Sequence, residues 1–259
     1  MKYKTKVLVE RFTEILSLWK GVECITLNEA AHPDILDPYF ALILDFFYSS
    51  PIPGADERCR LYGDDVAAFE SSGQSEKDRF LIGDIPVRLE YKKTEKIDEL
   101  VNIACNNRES LWLIKDSGTY GFYRLANCDV IFSRSSWIHD VRKRLENTDD
   151  LFWLEMRSAV QLKMEHFLSD LGAACFQQDK FHYLIASAGF IKSACLTLFC
   201  INRRFEPSHR AYNKQVCELP VLPESFPAEF QNFLENKADA DLDSRFYLAK
   251  LIAQKIIML

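Results

Sequence analysis

The chain has 259 residues, 48% of them hydrophobic and 27% charged, with a formal net charge of −6 and a pI of about 5.5. That balance is the one folded globular proteins show, and it excludes extensive disorder. An acidic chain also lacks the electrostatic footprint of a duplex-binding domain, so no duplex DNA partner is expected. The opening MKYKTKVLVERFTEILSLW has neither an uninterrupted apolar core nor a small-residue cleavage site, and so does not read as a signal peptide. The longest apolar-leaning run, Ala186 to Ile201, is broken by Ser187, Gly189, Lys192 and Ser193 and reads as too short to span a bilayer. A cytoplasmic protein without a membrane partner is the expectation. Eight cysteines, at 24, 59, 105, 128, 175, 195, 200 and 217, form no Cys-x-x-Cys pair, and they read as small buried hydrophobes.

In chain order, residues 4–19 space Val7, Leu8, Phe12, Ile15, Leu16 and Trp19 as an amphipathic helix, with Gly21 as its stop. VECITL, residues 22–27, alternates as a strand. A loop over 33–38 leads to YFALILDFFY, residues 39–48, a nearly continuous apolar run suited to a central strand. Asp45 interrupts that run, and an acid inside a buried strand must be paired or used. PIPG is a turn, 55–63 a short helix and 70–79 a polar loop. PVRLEY, residues 86–91, is a strand with Arg88 and Glu90 on one face. Residues 95–106 suit a helix, 110–136 short extended pieces, and 137–145 a further helix. The polar cluster Asn147-Thr148-Asp149-Asp150 can cap a helix, and beyond it strand patterns nearly vanish. Helices are expected at about 150–171, 177–204, 224–237 and 241–258, with Leu151, Leu154, Leu162 and Leu168 packing them into a bundle. The domain boundary then falls near residue 148, dividing 1–148 from 149–259. The basic clusters Arg142-Lys143-Arg144 and Arg203-Arg204 read as solvated helix ends.

Asp37, Asp45 and Glu90 come from three segments that one sheet could bring together. Converging carboxylates hold Mg²⁺ against a nucleoside triphosphate, since hard oxygen ligands supply the charge and the metal neutralises the phosphates. The blander alternative has Asp37 capping a loop, Asp45 paired with a basic residue and Glu90 solvated on its strand. Other candidates are thinner. Arg204 and His209 have four residues between them, a spacing that resembles the ribonuclease motif of helical HEPN proteins, but Pro207 interrupts any helix there. Gly118-Thr-Tyr-Gly121 is too short for a phosphate loop, His182 reads as packed or surface-exposed, and His32, His139 and His166 have no partner four residues on.

The order of helix, strand, loop, acid-bearing strand and later acid-bearing strand resembles the nucleotidyltransferase superfamily, the DNA polymerase β-like fold. The helical second half resembles the C-terminal domain of kanamycin-type nucleotidyltransferases. LTLFCINRRFEPSHRAYNKQVCELPVLPESF (196–226) and NCDVIFSR (127–134) are similar to segments in bacterial members of uncharacterised function. The resemblance implies an α+β fold, with a nucleotidyltransferase-like mixed sheet flanked by helices and then an all-α helical bundle. It implies Mg²⁺ as cofactor, a nucleoside triphosphate as substrate, and a small-molecule or macromolecular acceptor in a cleft between the halves. Glu90 then takes the place of the third acid, the general base, and Asp45 that of a metal ligand. Two positions depart from the pattern. Asn28-Glu29 stands where a Gly-Ser pair holds the triphosphate, and Glu29 there would repel it; Ile43 stands where the first of two metal-binding acids belongs. Asp37 or Asp64-Asp65 would have to supply the missing ligand. Two readings stay open: a Mg²⁺-dependent transferase of nucleoside monophosphate, and a nucleotidyltransferase-fold binding or interaction module without catalysis.

Overall fold

The computed structural model describes residues 3–31, 33, 36–74, 76–235 and 242–259, so His32, positions 34–35 of the expected loop and the helix ends expected at 236–237 and 241 lie outside the described residues. The chain forms two compact units, one of residues 1–107 and 124–147, the other of 108–123 and 148–259. Residues 108–123, on the first side of a single cut near 148, thus belong with the second unit.

In the first unit α1 (Tyr3–Ser17) leads into β1 (Val22–Leu27), β2 (Leu42–Tyr48) and α2 (Ala55–Tyr62). The hairpin β3 (Val66–Ser71) and β4 (Lys77–Ile82) follows, then β5 (Ile85–Lys93) and α3 (Thr94–Asn106). After α4 (Trp112–Ser117), which belongs to the second unit, and α5 (Tyr120–Asn127), which crosses the division, come β6 (Asp129–Ser133) and α6 (Trp137–Glu146). The six strands make one mixed sheet in the order β3-β4-β5-β2-β1-β6. Among the described strands only β2 and β5 run parallel, with Asp45 directly opposite Glu90. Gly21, at φ +74°, makes the tight turn from α1 into β1, where a Cβ would lie 2.0 Å from the Ser50 hydroxyl.

Alternation divides the strands between two faces. Leu42, Leu44 and Phe46 of β2 and Val87, Leu89 and Tyr91 of β5 pack with Leu8, Phe12 and Leu16 of α1 in one core. Ile43, Asp45 and Phe47, with Arg88, Glu90 and Lys92, line the other face, where Phe47 meets Trp137 of α6 at 5.2 Å between ring centroids.

The polar loop expected over 70–79 is instead the β3–β4 hairpin. Its inward residue is an acid, which hides the alternation: Asp78 is fully buried and accepts two hydrogen bonds from Arg58, each 2.8 Å, one from Tyr62 at 2.8 Å and one from Tyr91 at 2.7 Å. Burial alone raises the Asp78 carboxyl, but the hydrogen bonds from Arg58, Tyr91 and Tyr62 outweigh it and hold the group below its ordinary value. The extended pieces expected over 110–136 are largely α4 and α5, with β6 as the strand. Gly118, Thr119 and Gly121 punctuate that stretch like a loop, while its helices are only six and eight residues long.

The second unit is helical: α7 (Asp150–Gln177), α8 (Lys180–Ile201), α9 (Tyr212–Cys217), α10 (Phe226–Leu234) and α11 (Leu242–Ile257). Asp149 caps α7, accepting from the Phe152 amide at 2.9 Å, and Asp179 caps α8. The two long helices pack as an antiparallel hairpin, and Phe167 lies over Gly189, where a Cβ would meet the ring at 2.4 Å. The α7 face that turns inward is Phe152, Trp153, Met156, Val160, Met164 and Leu171. Leu168 is partly buried against that core, whereas Leu151, Leu154 and Leu162 are exposed, contrary to the expected packing. Apolar residues lie on both sides of α7, so helical period alone does not choose its buried face. Over 18 residues α8 reaches a mean hydropathy of 1.9, long and apolar enough to cross a membrane, and half of that window is buried in the protein.

Replacing Asp78 with alanine strands the buried Arg58 guanidinium, and is expected to cost about 3–5 kcal/mol of unfolding free energy. Asp65→Ala, which breaks the solvent-facing pair with Arg11, is expected to cost under about 1 kcal/mol. Urea unfolding of both variants measures the contrast.

Candidate active-site region

Asp45 sits mid-strand in β2, 1% exposed, beside Glu90 on the parallel neighbour β5. Two carboxylates buried side by side repel each other and lose their hydration, so each requires compensation. It comes from two cations. Arg124, on α5, grips both oxygens of Asp45 with one guanidinium nitrogen, at 2.5 and 2.6 Å, and reaches Glu90 Oε2 with another at 3.0 Å. Lys92, two residues beyond Glu90 on the same face of β5, donates to Asp45 Oδ1 at 2.7 Å and lies 3.5 Å from Glu90 Oε2. Lys77 and Arg88 stand farther out, 3.8 and 4.0 Å from Glu90 Oε1.

Burial alone raises the Glu90 carboxyl, but the charges of Arg124, Lys92 and Lys77 overturn that and hold it down at about 2. The Lys92 ammonium also lies 5.8 Å from the centre of the Phe47 ring. Arg142 of α6 fixes the end of α5 that follows Arg124, donating to the carbonyls of Leu125, at 2.9 Å, and Cys128. Arg144 pairs with Asp98 at 2.8 Å. The basic cluster 142–144, expected as a solvated helix end, therefore binds α5 and α3 in place.

Of the acids singled out from sequence, Asp45 and Glu90 stand side by side in register. Asp37 sits in the loop before β2, where its carboxylate accepts from the Tyr39 amide at 2.8 Å. Asp65 is held by Arg11 at 2.6 Å. The Asn28 side chain accepts from the Ala30 amide at 3.0 Å and starts the 3-10 turn Glu29–Ala31; the Asn28 amide donates to the Ile43 carbonyl at 3.0 Å. Asn28-Glu29 thus builds a side-chain-capped turn in place of an open glycine-serine cradle. Ile43 lies in register with Arg88, placing an apolar side chain where the family pattern has its first acid.

These donors do not fit Mg²⁺. Both carboxylates already carry guanidinium and ammonium partners, the third position is aliphatic, and among the described residues no three Asp, Glu, His or Cys side chains come together where they could hold a metal. Lys92 lies beyond the strand expected over 86–91, though the two-residue period of β5, which runs to Lys93, carries it onto the face of Glu90. Arg124 was not legible: it lies 79 residues from Asp45 in a stretch that reads as extended.

Among solved structures, the chain is similar to a nucleotidyltransferase-like protein from Exiguobacterium sibiricum 255-15, at 12% identity and a TM-score of 0.51, covering 98% of this chain and 74% of that one. No protein-family model and no curated protein sequence matches the chain. Likeness at this identity carries the fold: a nucleotidyltransferase-like α+β architecture with a mostly helical C-terminal part.

Arg124→Gln is expected to destabilise the protein by about 2–4 kcal/mol, leaving Asp45 with Lys92 alone. Because Asp45→Asn takes from Arg124 one of its two carboxylate partners, the double substitution is expected to cost at least about 1 kcal/mol less than the two single costs added together, which a double-mutant cycle in urea measures. The depressed Glu90 group stabilises the fold above its ordinary value of 4.5, and that contribution is lost as pH falls from there towards 2. Wild type is therefore expected to lose about 3 kcal/mol more than Glu90→Gln across that window, read from unfolding at successive pH values.

Proposed function

We propose that the chain is a nucleotidyltransferase-fold protein that acts as a binding module and does not transfer nucleotides. The observation that carries this reading is the closure of both carboxylates by Arg124 and Lys92. Two carboxylates and two cations make a neutral unit, and the cations bring the same charge that one divalent ion would bring. A metal-bound triphosphate would have to displace a guanidinium held by three hydrogen bonds, at a site whose Gly-Ser cradle is replaced by Asn28-Glu29. Charge repulsion from Glu29 works against the triphosphate as well.

A ligand can instead meet this face from the side. An open pocket of about 570 Å³ is lined by Lys77, Arg79, Lys92, Glu70, Glu76 and Glu90, with Ser72 and Gln74 beside them. Three cations and three carboxylates favour a small polar ligand that carries both donors and acceptors over a polyphosphate. Transfer to an acceptor is the second reading, favoured by the in-register Asp45–Glu90 pair and by the fold likeness. It requires both cations to leave both acids.

Calorimetric titration with ATP, GTP, CTP and UTP, with and without Mg²⁺, separates the two. No Mg²⁺-dependent heat at millimolar nucleotide is expected for wild type. Mg²⁺-dependent binding that disappears in Asp45→Asn would overturn the module reading in favour of the transferase.

A further inference from the structure

The α7–α8 hairpin ends in an apolar tip that faces water. Phe176 is 91% exposed, Phe181 74%, Leu184 64% and Ile185 54%. On α7 the 100° step of the helix sets Phe176 in one stripe with exposed Leu151, Leu154 and Leu162, opposite the stripe that builds the core. On α8, Phe181, Leu184, Ile185 and the exposed Ala188 share a stripe in the same way, opposite Tyr183, Ala186 and Phe190. Aromatic and leucine side chains of this size expose roughly 500 Å² at the tip, while Glu165, Ser169 and Gly172, the last against Phe246, separate it from the rest of the α7 stripe. Two such tips together reach the roughly 1,000 Å² of total buried surface that a specific interface clears.

We propose that this face pairs with a second copy of the chain across a two-fold axis. The charges around it choose that occupant. Residues 163–192 carry Lys163, Lys180 and Lys192 against Glu165, Asp170 and Asp179, three of each sign, for a net charge of zero with histidines neutral. An anionic membrane or a nucleic acid would select a cationic rim. A rim with both signs in equal number can meet itself, each lysine facing an acid of the other copy, as an isologous contact requires. The two helices are also joined by only Gln178 and Asp179, with α8 capped by Asp179, so the tip presents a rigid surface.

Light scattering on a sizing column and sedimentation equilibrium test this on the full chain. Wild type is expected at twice its 30.0 kDa chain mass at roughly 100 µM, a concentration that populates even micromolar dimers. Phe181→Glu combined with Leu184→Glu is expected to weaken dimerisation at least about 100-fold by burying unpaired charge. Phe176→Ser, at a residue almost wholly in solvent, weakens it separately should the charged variant misfold by far-ultraviolet circular dichroism. A monomeric wild type overturns the proposal, including one that sediments with vesicles of anionic lipid. So does a dimer that Phe176→Ser and the folded charged variant leave intact, since that interface would lie elsewhere.

Discussion

An acid placed in the middle of a central strand sets the terms for everything around it. Asp45 occupies a position that the sheet buries, and its neighbour in register is Glu90, a second acid. Neither can lose water without a counter-charge. The fold supplies two from different directions, one along β5 itself and one from α5 across the sheet. The second explains other features of the first unit: α5 must end where Arg124 can reach, and Arg142 of α6 holds that end by its carbonyls. A strand residue, a short helix and a longer helix are thereby tied to one carboxylate.

The same compensation decides what the region can do chemically. Carboxylates that face each other on neighbouring strands are suited to a divalent cation when they stand open and a third oxygen ligand is at hand. Here a planar guanidinium takes the paired oxygens, an ammonium takes one of them again, and Ile43 offers no ligand. Guanidinium is a permanent charge and a directional donor, so it does not lose its proton in any accessible pH range. A nucleotidyltransferase-like fold and a charge pattern closed within the chain can therefore coexist.

How much of this was legible follows from how each residue is disguised. β1, β2 and β5 announce themselves by alternation or by a continuous apolar run, because their inward residues are apolar. β4 does not, because Asp78 points into the core and is made tolerable by Arg58, Tyr62 and Tyr91. Asp45 was conspicuous as the one charge in an apolar run, and its pairing with a basic residue is the alternative the structure realises. Lys92 shares a face with Glu90 by the two-residue period. Arg124 carries no local signal, since its partners are distant in sequence and Gly118 and Gly121 break up the start of its helix. In the second unit the helices were visible but the buried side of α7 was not, for apolar residues lie on both sides and tertiary packing makes the choice.

The most direct measurement is a Mn²⁺ titration of the wild-type protein followed by electron paramagnetic resonance, in which protein-bound ion loses the six-line signal of the free ion. With Arg124 and Lys92 on both carboxylates, all added Mn²⁺ is expected to remain free up to millimolar concentration. Stoichiometric loss of signal that Asp45→Asn or Glu90→Gln restores would show that the acids accept a metal in preference to their cations, and would contradict the account.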